Sequence, residues 1–315
     1  MGRTAPVGTN FEARITVVPR SSSGIVDAKV VDGDRELWLR VRPNARIVIR
    51  GALGELLLRF NRSGVFVNER SVTAQADRID LADLDPVSNS RARPIWHRLT
   101  AGHAYLWHEH RLHALEPLAR GHGAKAVVGR WSVPMSLDGR HEAIEGDLVY
   151  TPAGSVWPLL VLACAVAVGL LVFARLSADR VAVGAALVAT SVVWSLRIGR
   201  EAYGRPGVGV FGYVQIALTS AVGVALLYGL VNRERDVRVF TALLAGVGSL
   251  YQALTMLGVL THAIALTTLP TTFARVSVAL SLGLGTGLVA ITLRRVRVPG
   301  AVHNHPGAFA GGIRE

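Results

Sequence analysis

Five apolar stretches, each long enough to cross a lipid bilayer, fill the C-terminal half of this 315-residue chain: Trp157–Leu176, Arg180–Leu196, Gly207–Val231, Val237–Ala265 and Phe273–Leu293. A spanning helix needs about 20 mostly apolar residues to cover roughly 30 Å of hydrocarbon. Helices buried in aqueous cores are rarely so long and so free of charge. The sequence therefore predicts an integral membrane protein with a five-helix α-helical transmembrane bundle over residues 157–296. A tail rich in Gly, Ala and His, residues 297–315, has the composition of disorder and is expected to be cytoplasmic.

The chain ahead of the first span is of a different kind. Ala13-Arg14-Ile15-Thr16-Val17, Glu36–Val41, Arg46–Ile49 and Leu56–Phe60 alternate in polarity as strands do, and further strands are expected at His103–His110, Val127–Met135 and Glu142–Val149. Turn signals separate them, among them Asp32-Gly33-Asp34, Asn61-Arg62-Ser63-Gly64 and the hairpin-forming Asp138-Gly139. About eight short strands without a helical period predict an all-β antiparallel sandwich over residues 10–150. A flexible N-terminus (1–9) precedes it, a short stiff linker (151–156) follows it, and Ala74–Arg93 reads as a long loop.

Arginine placement bears on orientation. With the β domain outside, the cytoplasmic segments carry Arg175, Arg180, Arg233, Arg235, Arg238, Arg294, Arg295 and Arg297, against Arg197, Arg200, Arg205 and Arg275 outside. Eight against four favours an extracytoplasmic β domain and a cytoplasmic C-terminus. The opening MGRTAPVGTN lacks the apolar core of a signal peptide, so export of the domain leads us to expect a leader upstream of this start.

A net charge of +12 raises the question of a nucleic-acid partner, but the arginines are scattered and form no basic helix or aromatic-basic stripe. None is expected. The lone cysteine, Cys164, lies in the first span, which excludes an intramolecular disulfide and a cysteine-built zinc site. The chain has no glycine-rich phosphate loop, no Gly-x-Ser-x-Gly elbow and no His-Glu-x-x-His, so no catalytic activity is expected.

Histidine is concentrated: seven of the ten lie between His97 and His141, densest in Trp107-His108-Glu109-His110-Arg111-Leu112-His113. Read as a strand, this run puts His108 and His110 on one face with Leu106 and Leu112, and Trp107, Glu109, Arg111 and His113 on the other. Two histidines so spaced can reach one metal ion, and imidazole suits copper, zinc and nickel. The candidate ligands are His108, His110 and His113, with Met135 as a thioether donor if the metal is Cu(I). His97, His103, His122 and His141 are alternative third ligands. A structural polar network and a pH sensor remain open as other uses of the same residues.

Inside the bilayer, polar residues raise the question of function by default. The fourth span offers Tyr251, Gln252, Thr255, Met256 and His262, and the third offers Gln215, Thr219 and Ser220. Met256 and His262 share a helix side and are candidates for a soft-metal path. Gly246, Gly248, Gly283, Gly285 and Gly287 are expected to let helices approach closely. No acidic residue falls within these spans, which argues against a proton relay.

Several segments together resemble a known group: Thr9-Asn10-Phe11, Gly64-Val65-Phe66-Val67-Asn68, Trp107 to His113, Trp131-Ser132-Val133-Pro134, Gly146 to Pro152, and Val156-Trp157-Pro158. Over residues 9–175 the chain resembles uncharacterised actinobacterial membrane proteins that carry an exported β domain, with a Trp-His-Asp/Glu-His-Arg-x-His run, ahead of transmembrane helices. Members of the group carry a leader and begin the mature domain with a His-Gly pair, a layout similar to that of periplasmic copper carriers; here Met1-Gly2 stands at that place. The resemblance implies copper as the metal. The competing expectation is a structural or assembly subunit whose sandwich docks on another envelope or membrane protein.

Overall fold

The computed structural model describes residues 7–19, 24–77, 90–113, 123–203, 210–232 and 234–296. The chain forms two compact units. The first comprises Met1–Trp157 together with two later segments, Ile198–Gly212 and Met256–Val276. Its elements are β1 (Gly8–Thr9), β2 (Phe11–Val17), β3 (Val26–Val31), β4 (Glu36–Val41), β5 (Ile47–Arg50), β6 (Leu56–Asn61), β7 (Gly64–Asn68), α1 (Val72–Ala76), β8 (Trp96–Thr100), β9 (Ala104–His108), β10 (Ala126–Leu137) and β11 (Arg140–Tyr150).

Two antiparallel sheets form the sandwich. One has seven strands in the order β2-β11-β10-β5-β6-β7-β8, and the other has three, β3-β4-β9. Strand alternation builds the core between them. On β10, Trp131, Val133, Met135 and Leu137 are buried while Arg130, Ser132 and Pro134 are exposed; on β4, Leu37, Leu39 and Val41 face in. They meet Ile47, Ile49, Leu58, Phe60 and Ile144 in one apolar cluster. Burying each such side chain stabilises the fold by about 1.5–3 kcal/mol, enough to hold the domain without a disulfide. Asp138 (φ 48°) and Gly139 (φ 91°) close the β10–β11 hairpin, as their sequence predicts.

Three sheet strands escape the sequence pattern, β3, β7 and β8. β3 and β8 are edge strands, where charge and weak alternation are usual, and Asp27, Lys29, His97 and Arg98 lie in them; β7 is a five-residue interior strand paired with β6 and β8. The loop expected over Ala74–Arg93 begins instead as α1, and residues 78–89 lie outside the described residues. The N-terminus also departs from expectation. Gly8 and Thr9 are not loose but pair with β12 (Ile264–Ala265), Gly8 opposite Ala265 and Thr9 opposite Ile264. Val7 O accepts from Leu266 N at 3.0 Å, and Asn10 Oδ1 accepts from Ala263 N at 2.8 Å.

The second unit comprises Pro158–Arg197, Tyr213–Thr255 and Ser277–Glu315. Among the described residues, five helical segments are long and apolar enough to cross a membrane: Trp157–Ser177, Asp179–Glu201, Gly212–Val231, Arg235–Thr255 and Thr271–Arg294. The protein is a multi-pass membrane protein. The first two spans are two helices that meet at non-helical backbone at Ser177, and together they are called α2 (Trp157–Glu201). Next come α3 (Val210–Val231), α4 (Arg235–Thr255), the single turn α5 (Gly258–Thr261) and α6 (Thr271–Val296). Small residues pack the bundle: Ala182, Ala185, Ala186, Ala189, Ala242 and Ala245 gather around Leu284 and Leu288. At Gly285 a Cβ would stand 2.7 Å from Leu250 and 2.9 Å from Gly246 O, so glycine sets how closely α4 and α6 approach.

The fourth span ends ten residues earlier than its hydropathy suggests. Met256 to Ala265 reads as a continuation but folds as α5 and β12, and His262 is not on the helix that carries Tyr251. The shared helix side proposed for Met256 and His262 therefore does not exist. Hydropathy cannot tell a lipid-facing residue from one buried in protein, and Val259, Leu260 and Ala265 are buried. The tail expected to be disordered, 297–315, lies outside the described residues.

Candidate functional site

The histidine-rich run divides into an inner and an outer set. β9 ends at His108, and His110–Leu112 form a 3-10 turn. Inside, Glu109 is fully buried and its carboxylate is held by Arg111 and Trp107. Arg111 grips it with two bonds, Nε to Oε1 at 2.7 Å and Nη2 to Oε2 at 2.6 Å, while Trp107 Nε1 donates to Oε2 at 3.1 Å. Arg111 also donates to Arg50 O, and Glu109 N donates to Arg35 O. Leu112, next in the chain, is fully buried in the same apolar cluster as Trp107. A buried carboxylate is tolerated only when so fully paired.

Outside, three imidazoles gather. The His108 and His110 rings meet edge to face with centroids 4.6 Å apart, and His108 and His113 stand at 6.3 Å. Strand alternation predicts His113 on the opposite side from His108 and His110. The structure corrects this. Three residues complete one turn of 3-10 helix, so His110 and His113 come to the same side.

Two buried acids back the rings. His110 Nδ1 is bonded to Asp77 Oδ1, and His113 Nδ1 lies 3.4 Å from Asp34 Oδ2. Asp77 is the C-cap of α1, and that helix is fixed from below. Its N-cap Ser71 donates to buried Glu55 at 2.9 Å, as does Thr73 N. Asp34 lies in the four-residue turn between β3 and β4. Among the described residues, Asp77 Oδ2 is buried without a hydrogen-bond partner. Burial pushes Asp77 up to about 6; its bond to His110 pulls the other way and nearby Glu109 adds to the rise. Burial, then the charges of His110, His113 and Arg35, holds His108 below the usual imidazole range. Low basicity favours the neutral ring, which is the form that donates to a metal.

Met135 does not join the rings. It is 1% exposed on the inward face of β10, within the apolar core, while His110 and His113 are exposed. The alternation of Trp131, Val133, Met135 and Leu137 carried that signal in the sequence. Of the alternative ligands, His97 faces Glu69 at 3.5 Å, His103 Nε2 lies 3.3 Å from Arg62 O, and His141 sits opposite Ser136 on the β10–β11 hairpin. His122 lies outside the described residues. Sequence reasoning missed Asp77 and Asp34: the first carries no local signal, and the second reads only as part of a turn.

Among the described residues, no three His, Cys, Asp or Glu side chains already stand in metal-holding geometry. The donor chemistry still suits a borderline divalent ion. A ligating histidine ordinarily gives its other ring nitrogen to a carboxylate, and Asp77 and Asp34 occupy that position for His110 and His113. The chain matches no protein-family model, no curated protein and no solved structure.

Proposed function

We propose that this membrane protein binds a divalent transition-metal ion, copper(II) ahead of zinc(II), through His108, His110 and His113 on its β domain. The observation that carries the reading is the gathering of three rings, two with Nδ1 turned to a buried carboxylate and Nε2 left as the donor. An all-nitrogen set favours copper(II) over zinc(II) by the ordinary order of affinities, and the burial of Met135 removes the thioether that would favour copper(I). The arginine balance supports an extracytoplasmic β domain with a cytoplasmic C-terminus, which would expose the rings to metal outside the cell. The Glu109–Arg111–Trp107 knot has a role in this reading: it fixes the backbone that presents the three rings.

Titration calorimetry on the full chain in detergent micelles tests the proposal. We expect stoichiometric binding of Cu(II) and of Zn(II), and its loss when His108, His110 and His113 are all changed to alanine. Met135→Leu should leave it intact. Absence of binding by the unmodified protein, or equal binding by the triple variant, would sink the reading.

A further inference from the structure

The turn that holds His113 also holds the end of a membrane span. Asp32-Gly33-Asp34-Arg35 joins β3 to β4. Asp34 faces His113, and Arg35 O accepts from Glu109 N at 2.9 Å, so one side of the turn is tied to the histidine run at two points. On the other side Asp32 Oδ1 accepts from Arg200 Nη1 at 3.3 Å. Arg200 lies in the last turn of α2, within the segment that folds with the β domain as one compact unit. Both aspartates are almost fully buried, with side-chain exposures of 2% and 3%, and that of Arg200 is 11%.

The turn has little freedom to absorb a change on one side without passing it on. Asp32 has φ 54° and Gly33 φ 80°, two consecutive residues in the left-handed region. A Cβ on Gly33 would stand 2.6 Å from Thr9 Cγ2, and Gly33 O accepts from Ala13 N at 3.0 Å. Arg200 is held as firmly: it donates to Leu266 O at 2.9 Å, and Gly199 O accepts from Thr268 N at 3.0 Å. Tyr203 is part of the same setting. Burial raises its phenol above the usual range, and the charge of Asp32 adds to the rise.

We propose that the Asp32-Gly33-Asp34 turn couples the histidine cluster to Arg200, so that the second span senses whether the cluster holds a metal ion. This inference rests on the metal reading above. A divalent ion on the outer nitrogen of His113 draws the Asp34 carboxylate towards the ring. Asp32, two residues away in the same confined turn, then holds Arg200 differently. Linkage makes the effect reciprocal: whatever the ion does to the Asp32–Arg200 pair, loss of that pair must do to the ion's affinity.

Zinc(II) titration of the full chain in micelles tests this. Arg200→Gln leaves Asp32 without its guanidinium and Asp34 more able to serve His113, so zinc should bind at least about fivefold tighter. Asp32→Asn breaks the same pair but leaves the charge on Arg200 rather than on Asp32, and should also shift the affinity. In an Asp34→Asn background, Arg200→Gln should change it by less than about twofold, since only the through-space charge effect remains. Hydrogen exchange on the unmutated protein gives a readout that needs no variant. Zinc should alter exchange at Ala202 and Thr268, whose amides donate to Ile198 O and Gly199 O. If zinc binds but neither the affinity of Arg200→Gln nor exchange at these amides moves, the coupling is wrong and the metal site stands. If the unmutated protein binds no zinc, both fall together.

Discussion

The β domain and the membrane bundle bury polar groups in opposite ways. The β domain encloses full carboxyl groups: Asp32, Asp34, Glu55, Asp77 and Glu109 are all below 9% exposure. Among the described residues of the bundle, the buried polar groups are neutral: Thr241, Ser249, Gln252, Ser277, Ser281 and Thr292. Two of these hydroxyls simply return to their own helix, Thr241 to Val237 O and Thr292 to Leu288 O. A sandwich can surround a charge with strand amides and arginines from several directions. A lipid-embedded helix offers few such partners, and an uncompensated charge there is costly. Charge in this molecule is thus a means of placing side chains in the β domain, while the bundle is organised by residue size.

The largest effect should come from breaking the best-paired charge. Arg111→Ala leaves Glu109 buried without its partner and should cost about 3–5 kcal/mol, read as a lowered unfolding midpoint of the purified protein. Replacing both residues with apolar ones should cost less, because no charge is then stranded. In the bundle the equivalent insult is steric. Gly285→Val should destabilise by about 1–3 kcal/mol through overpacking against Leu250, and detergent-induced unfolding would reveal it. Equal tolerance of both changes would erase the contrast between the two regions.

Asp77 gives a subtler test through pH. Its folded-state value, about 6, lies above the ordinary 3.8, so the folded form holds the proton more tightly. The resulting stability is complete below about pH 4 and is lost as pH rises through about 6. Asp77→Asn should flatten that part of the stability curve. The smallest change is expected from Ser249→Ala, which removes one interhelical bond to Ser281 O at 3.1 Å. About 0.6 kcal/mol is typical of such bonds in membranes. A loss of several kcal/mol there would show that the bundle, too, depends on polar placement.

The sandwich and the spans are legible in the sequence because their signals are periodic and long. Alternation on β4 and β10 is visible residue by residue, and 20-residue apolar runs leave little choice of medium. What the sequence hides is set by partners distant in the chain. The turn of backbone at His110 moves His113 to the other side of the strand, and no local pattern announces it. Asp77 reaches His110 across 33 positions, and Arg200 reaches Asp32 across 168. Met256 to Ala265 misleads for a related reason: its apolar residues are buried by protein, which hydropathy does not distinguish from lipid.

The ribbon formed by Gly8–Thr9 and Ile264–Ala265 ties the beginning of the chain to a segment made after the fourth span. During synthesis the first strand has no partner until the ribosome has passed residue 265 and most of the helices have been inserted. Biogenesis of the β-containing unit must therefore end late, with a closing step that waits for membrane integration. Truncated nascent chains would be left with an open N-terminal edge, exposed to proteases and quality control.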